Sequence, residues 1–194
     1  MKPVILIGEG ARGVHINKLL SLKCPIVTTW QAADIIDNNH KLYFGRPGLY
    51  GQRLANKVLY EADEVHVVGA RLSVWTIGYG EWTKAKNITV CDIDVNELKR
   101  FKNYTRYQGR AKDYIENLSP FECPEWVEEC RKWASELPLV ESPTHDDPEG
   151  RIHTHRFMDR LQHFFSEDEI IVTDMGSAMA VSYTHLTLPT NREV

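Results

Sequence analysis

No two of the four cysteines in this 194-residue chain, Cys24, Cys91, Cys123 and Cys130, form a Cys-x-x-Cys pair. Their spacing excludes a zinc knuckle and reads as free thiols in a reducing cytoplasm. No apolar run approaches the roughly 20 residues that span a bilayer. The N-terminal "MKPVILIG" is strand length, too short for a signal peptide. Neither sign of charge dominates. The net charge of −4 and the pI of about 6.1 argue against a nucleic-acid or membrane-surface partner. There is no internal repeat, no low-complexity tract, and no pattern of a Ser/His/Asp triad or metal cluster. What is present, 42% hydrophobic and 26% charged residues, is the profile of a soluble globular protein with a sizeable core.

Up to about residue 118, short Val/Ile-rich runs alternate with helical patterns. Residues 4–7, "PIVTT", "EVHVVGA" and "NITVCDID" read as strands, and "YTRYQG" as a short fifth. Near-continuous apolar runs suit strands covered on both faces. Between them, "GVHINKLLSLK" carries Leu19, Leu20 and Leu22 on one stripe. "GQRLANKVLYEAD" carries Leu54, Val58, Leu59 and Ala62, and "RAKDYIENL" closes the region. This order predicts an α/β fold with a doubly wound parallel sheet. Residues 119–152 read as a linker with one amphipathic helix over 124–137, whose apolar face is Trp126, Val127, Cys130, Trp133 and Ala134. A helix is expected from Thr154. Residues 169–173 are expected as a buried strand, leading into a tight turn at Asp174-Met175-Gly176-Ser177 that opens a helix, the way a phosphate site usually begins. His66 reads as a satisfied core residue, and His153 and His155 as solvated ones.

"GEGARG" fits Gly-x-Gly-x-x-Gly at Gly8, Gly10 and Gly13, after a strand and before a helix. Such glycines permit close approach of backbone to a diphosphate; the same turn also serves merely to pack strand against helix. The acid expected at the end of the second strand for a ribose is missing: the strand ends Thr28-Thr29-Trp30, and Asp34 lies further on, within an expected helix. An ordinary NAD site is therefore poorly matched. Arg12, Arg46 and Arg71 lie in Gly-containing loops that a parallel sheet would gather at its carboxyl edge, where they suit a phosphate or stand as solvated charges. Asp92 and Asp94, in "DID", end the fourth strand, to accept bonds from a ribose or ring N–H, or to cap the next helix.

"KPVILIGEGAR", "PIVTTWQAADII", "HKLYFGRPGLYGQRLAN", "ADEVHVVGARLS" and "ITVCDIDVNEL" occur in one order. That ordered set resembles the central domain of thiamine-diphosphate-dependent enzymes of the acetolactate synthase type. "RFMDRLQHFFSEDEIIVTDMGSA" resembles the start of their C-terminal diphosphate-binding domain. The resemblance implies a Rossmann-like central domain of the DHS-like NAD/FAD-binding type over residues 1–118, and the start of the thiamine-diphosphate domain over 153–180. It also implies a three-domain parent, a homodimer or homotetramer, that decarboxylates a small 2-oxo acid and transfers the resulting unit. The parent would use thiamine diphosphate with Mg²⁺, and FAD in the central domain. The activating glutamate of the first domain and the Mg²⁺-binding Gly-Asp-Gly…Asn motif are not within this sequence, so the chain by itself is expected to be inactive. By position, the FAD contacts fall at Gly8, Gly10 and Arg12, at Arg46 and Gly48, at Gly69 and Arg71, and at Asp92 and Asp94. Gly176 and Ser177 fall at a thiamine-diphosphate phosphate. Two other readings are a stand-alone FAD/NAD-binding module without catalysis and a sirtuin-like deacylase. The latter would need paired Cys-x-x-Cys motifs that are missing. Residues 181–194, "VSYTHLTLPTNREV", resemble a translated sequencing adapter and are expected to be a non-native tail, poor in helix formers and broken by Pro189.

Overall fold

The computed structural model describes residues 1–141, 149–150, 152–166, 169–172, 174, 176 and 181–182. Its centre is β1, Pro3–Ile7, every residue of which is buried. Four more strands join it: β2 (Ile26–Thr28), β3 (Glu64–Val68), β4 (Asn87–Asp92) and β5 (Thr105–Gln108). All pair in parallel, in the order β2-β1-β3-β4-β5. The chain leaves β1 on one side for β2, then crosses back to β3 on the other. This reversal makes the sheet doubly wound, with its switch point between β1 and β3.

The helices are short. They are α1 (Ile16–Ser21), α2 (Arg53–Glu61), α3 (Val74–Ile77), α4 (Val95–Leu98), α5 (Ala111–Asn117), α6 (Pro124–Glu136) and α7 (Thr154–Leu161). α1 packs with α5, and α2 with α6, two layers that cover the two faces of the sheet. Ala55, Val58 and Leu59 are buried on α2, as the stripe predicts. On α6, Trp126, Val127 and Cys130 are buried, whereas Ala134 faces out. The helix is turned by two anchors: Trp126 Nε1 donates to the Pro3 carbonyl at 3.1 Å, and Trp133 lies 4.6 Å beneath Lys57 Nζ. All four cysteines are buried and free. Burial pushes the Cys91 thiol up to about 12, well away from its reactive thiolate form.

Register fixes what happens at the carboxyl edge. Ile7 pairs with Thr28 on one side and Val68 on the other, and Val68 pairs with Cys91. The loops after β1, β2, β3 and β4 therefore leave the sheet side by side. The first and third interlock through their backbones: Gly8 N donates to Val68 O at 3.0 Å, Gly10 N to Gly69 O at 2.9 Å, and Gly69 N to Cys91 O at 2.9 Å. A Cβ on Gly8 would lie 2.2 Å from Gly69 O; on Gly69, where φ is +59°, it would lie 2.5 Å from the Gly10 carbonyl carbon. Only glycine fits either position.

Three local expectations are corrected. The glycine turn opens a single 3₁₀ turn, Glu9–Ala11, and α1 begins only at Ile16, because the backbone after Gly10 is spent on the interlock. Asp34 follows a 3₁₀ turn, Trp30–Ala32, rather than lying within a helix. Residues 169–172 form no strand, and Ile170 and Val172 are 84% and 89% exposed. Among the described residues no strand runs beside them; Glu169 N only turns back to the Ser166 carbonyl at 3.3 Å, and the Ile170 and Val172 side chains stay in solvent. Thr173 lies outside the described residues, as do 183–194 of the expected tail. Val181 and Ser182 are helical and buried, with Ser182 Oγ 3.8 Å from Met158 Sδ. His153 is half-buried, and its Nδ1 accepts from His155 N at 3.3 Å, capping α7. Among the described residues no helix is long and apolar enough to cross a membrane.

Mid-strand His66 is a satisfied core residue. Its Nδ1 lies 2.6 Å from Tyr114 Oη and its Nε2 3.1 Å from Glu64 Oε1. A neutral ring with the proton on Nε2 meets both partners, accepting from the tyrosine and donating to the carboxylate. Burial lowers the His66 pKa below its ordinary 6.5, against the opposing pull of Glu64. Between 6.5 and the lowered value the unfolded chain binds more protons, so stability must fall as pH falls through this window. Urea melts between pH 7.5 and 5 should show a steeper loss for wild type than for His66→Gln; parallel curves would refute this. A second expectation concerns the interlock. Gly69→Ala should lower unfolding free energy by about 2–4 kcal/mol, through strain and overpacking. Gly13→Ala, with nothing within 4 Å of the added atom, should cost about 1 kcal/mol from φ alone. Urea midpoints of the two variants check the difference.

Candidate functional site

Above the interlock, at the switch point, lies a cavity of about 1090 Å³. Open α/β sheets bind ligands at this place, outside the carboxyl ends of the strands. Each wall comes from one loop. Glu9 and Gly10 come from the loop after β1, Trp30 and Gln31 from that after β2, Gly69 and Arg71 from that after β3, and Asp92 and Asp94 from that after β4. Tyr50 and Trp75 close the outer side, and Gly176 also lines it.

Of the residues singled out from sequence, Gly10, Gly69, Arg71, Asp92, Asp94 and Gly176 line this cavity. Gly8 sits beneath it, in the interlock. Ser177 lies outside the described residues. Asp92 Oδ1 accepts from Asp94 N, and Asp94 Oδ1 caps α4 by accepting from Asn96 N, both at 2.8 Å. The second oxygen of each has no hydrogen bond among the described residues.

The three arginines stand in different settings. Arg71 is exposed, lines the cavity, and has no hydrogen bond or ion pair among the described residues. Arg46 is 2% exposed and lies outside the lining. Its Nη1 donates to Asn38 Oδ1 at 2.7 Å and to Tyr43 Oη at 3.1 Å, and Tyr43 Oη in turn lies 3.0 Å from Thr28 Oγ1. It secures the segment 42–45 along the outer edge of β2, where Ile26 N and Phe44 N exchange bonds with Leu42 O and Ile26 O. Arg12 is also outside the lining, paired with Asp34 at 2.8 Å. Gly48 serves its own loop. With φ at +129°, a Cβ there would lie 1.9 Å from the Trp75 carbonyl, so the glycine lets the 46–51 loop press against α3.

The sequence reading did not single out the aromatic wall. The Trp30 and Trp75 rings lie 6.2 Å apart, and Trp75 stacks on Tyr50 at 5.9 Å and 28°. Trp75 and Tyr50 are 56% and 53% exposed, large apolar faces left open beside a cavity. The signal was available. Trp30 stands where an acid for a ribose was sought, two residues past the end of β2. Chemically, the aromatics can stack a planar ring, Arg71 can meet an anion, and the aspartate oxygens can accept from hydroxyls or ring N–H groups. Among the described residues no three His, Cys, Asp or Glu side chains are grouped to hold a metal ion.

Comparison with known proteins agrees with this architecture. The profile of the family described as "Thiamine pyrophosphate enzyme, central domain" matches residues 1–118. Pyruvate oxidase of Lactiplantibacillus plantarum is 27% identical over 210 aligned positions, covering 100% of this chain and 33% of that protein. The acetolactate synthase isozyme 2 large subunit of Escherichia coli is 24% identical over 193, covering 95% and 34%. Sulfoacetaldehyde acetyltransferase of Castellaniella defragrans is 25% identical over 220, covering 95% and 37%. The chain thus spans about a third of the length of these relatives. A matched domain of 118 residues, with its five-stranded parallel sheet, assigns the chain to the thiamine pyrophosphate enzyme central-domain family.

Proposed function

We propose that this chain is part of a thiamine-diphosphate-dependent enzyme that decarboxylates a small 2-oxo acid and transfers the resulting unit, and that its cavity takes an adenine dinucleotide, FAD in preference to NAD. The observation that carries the nucleotide reading is the cavity at the switch point, lined by a stacking wall of Trp30, Trp75 and Tyr50 and by Arg71, which has no partner among the described residues. Ligand pockets usually run about 300–1,000 Å³, so this one suits a ligand as large as a dinucleotide. The arrangement fits FAD on three counts. Aromatic faces suit its rings, one guanidinium suits its diphosphate, and Asp92 and Asp94 suit ribose hydroxyls. Without an acid at the end of β2, the usual grip on an NAD ribose is missing.

The names of the relatives support the reaction class: one acts on pyruvate, itself a 2-oxo acid, and one is an acetolactate synthase. When bound, thiamine diphosphate would supply the electron sink for decarboxylation. Among the described residues no three His, Cys, Asp or Glu side chains are grouped to hold its Mg²⁺. By resemblance, residues 153–180 are the start of the domain that would hold the diphosphate, with Gly176 and Ser177 as its phosphate contacts. We expect the isolated chain to release no CO₂ from pyruvate with thiamine diphosphate and Mg²⁺; sustained release would contradict this.

The cavity reading is tested by calorimetry with FAD and NAD. Wild type should bind FAD more tightly than NAD. Arg71→Ala should lose about 1.5–3 kcal/mol, roughly ten- to a hundredfold in affinity. No binding by wild type, or equal binding by the variant, would refute the site.

A further inference from the structure

Arg12 lies in the loop between β1 and α1, yet its guanidinium belongs to the loop after β2. Nη1 donates to Asp34 Oδ2 and Nη2 to Asp34 Oδ1, each at 2.8 Å, and Nη2 donates again to the Gln31 carbonyl at 2.6 Å. This two-pronged geometry is the strong form of an Arg–carboxylate pair. The bonds that Arg12 donates hold the Asp34 carboxyl below its ordinary value and raise the Arg12 guanidinium above its own.

The loop being gripped carries cavity wall. Trp30 and Gln31 line the cavity, and Trp30 faces Trp75 across 6.2 Å. The inner side of this loop is already fixed: Thr29 N donates to Ile7 O at 2.8 Å, and Ala32, Ala33 and Ile36 are buried. Its own turn bonds are ordinary, Ala32 N to Thr29 O at 3.1 Å and Ala33 N to Trp30 O at 3.2 Å. Arg12 supplies the hold on the outer side. It also catches the backbone of Gln31 itself, so the hold acts on the main chain from which Trp30 and Gln31 project.

We propose that Arg12 and Asp34 form a clip that positions Trp30 and Gln31 as a wall of the cavity, Arg12 acting as a positioning residue and not as an anion ligand. The effect on nucleotide binding rests on the reading of the cavity as a nucleotide site; the effect on the loop does not. The two roles for Arg12 differ in sign when Asp34 is changed. If Arg12 were an anion ligand held back by its partner, neutralising Asp34 would free it and tighten binding. If it is one half of a clip, neutralising Asp34 loosens the wall and weakens binding.

The test uses the full chain as wild type, Arg12→Ala, Asp34→Asn, and the double exchange Arg12→Asp with Asp34→Arg. Hydrogen exchange of the 29–35 segment is followed by mass spectrometry without ligand, and FAD affinity by calorimetry. Both single variants should exchange several-fold faster in this segment and bind FAD roughly two- to fivefold more weakly, the range of one well-formed surface pair. The double exchange should restore both. Tighter FAD binding by Asp34→Asn, or unchanged exchange in the single variants, would overturn the proposal. Exchange that follows the pair in a wild type that binds no FAD would support the clip and count against the nucleotide reading instead.

Discussion

The contact on which the rest depends is the backbone-on-backbone approach of the loops after β1 and β3. At Gly8 and Gly69 the two main chains approach closer than any side chain permits, and Gly10 N adds a hydrogen bond to Gly69 O. Parallel strands leave their loops at one edge, but register alone would leave those loops splayed. The interlock draws them together at the switch point and forms the floor of the cavity. It also explains why the glycine turn does not lead straight into a helix. The amides that could have fanned toward a ligand are used within the protein, so in the proposed site charge recognition would fall to side chains.

Those side chains divide by environment more than by type. Arg46 is buried and its donors serve Tyr43 and Asn38; Arg12 is half-exposed and bound to Asp34; Arg71 is exposed and faces the cavity. A guanidinium offers five donors in a fixed fork, so it welds loops as readily as it receives phosphate. Which of the two it does is decided by whether a carboxylate, carbonyl or hydroxyl stands within reach. That is a tertiary fact. The same holds for the aspartates after β4, where each carboxylate gives one oxygen to its own loop and keeps the other available.

The fold was legible in the sequence because burial on both faces writes long Val/Ile runs, and because strand and helix alternate at short intervals. All five strands were readable within a residue or two. Ala134 was misread because a helical stripe gives the face but not its rotation, which Trp126 and Trp133 set through Pro3 and Lys57. The segment 169–173 was read as a buried strand on composition, and its described part, 169–172, is not one. Val and Ile promise burial only where a neighbouring strand supplies the ladder. The lining of the candidate cavity was legible at Gly10, Gly69, Arg71 and the "DID" motif, all close to strand ends. The aromatic wall was not, since Trp30 in a 3₁₀ turn, Tyr50 in the 46–51 loop and Trp75 in α3 come together with no shared motif.

The central claim is that this carboxyl edge is a dinucleotide site, built on a glycine interlock and read by Arg71 and an aromatic wall. A crystal structure of the chain grown with FAD tests it most directly. The account predicts a diphosphate within hydrogen-bond distance of the Arg71 guanidinium and a ring packed against Trp30, Trp75 or Tyr50. FAD bound on another face of the sheet, or a cavity that stays empty at saturating FAD, would contradict it.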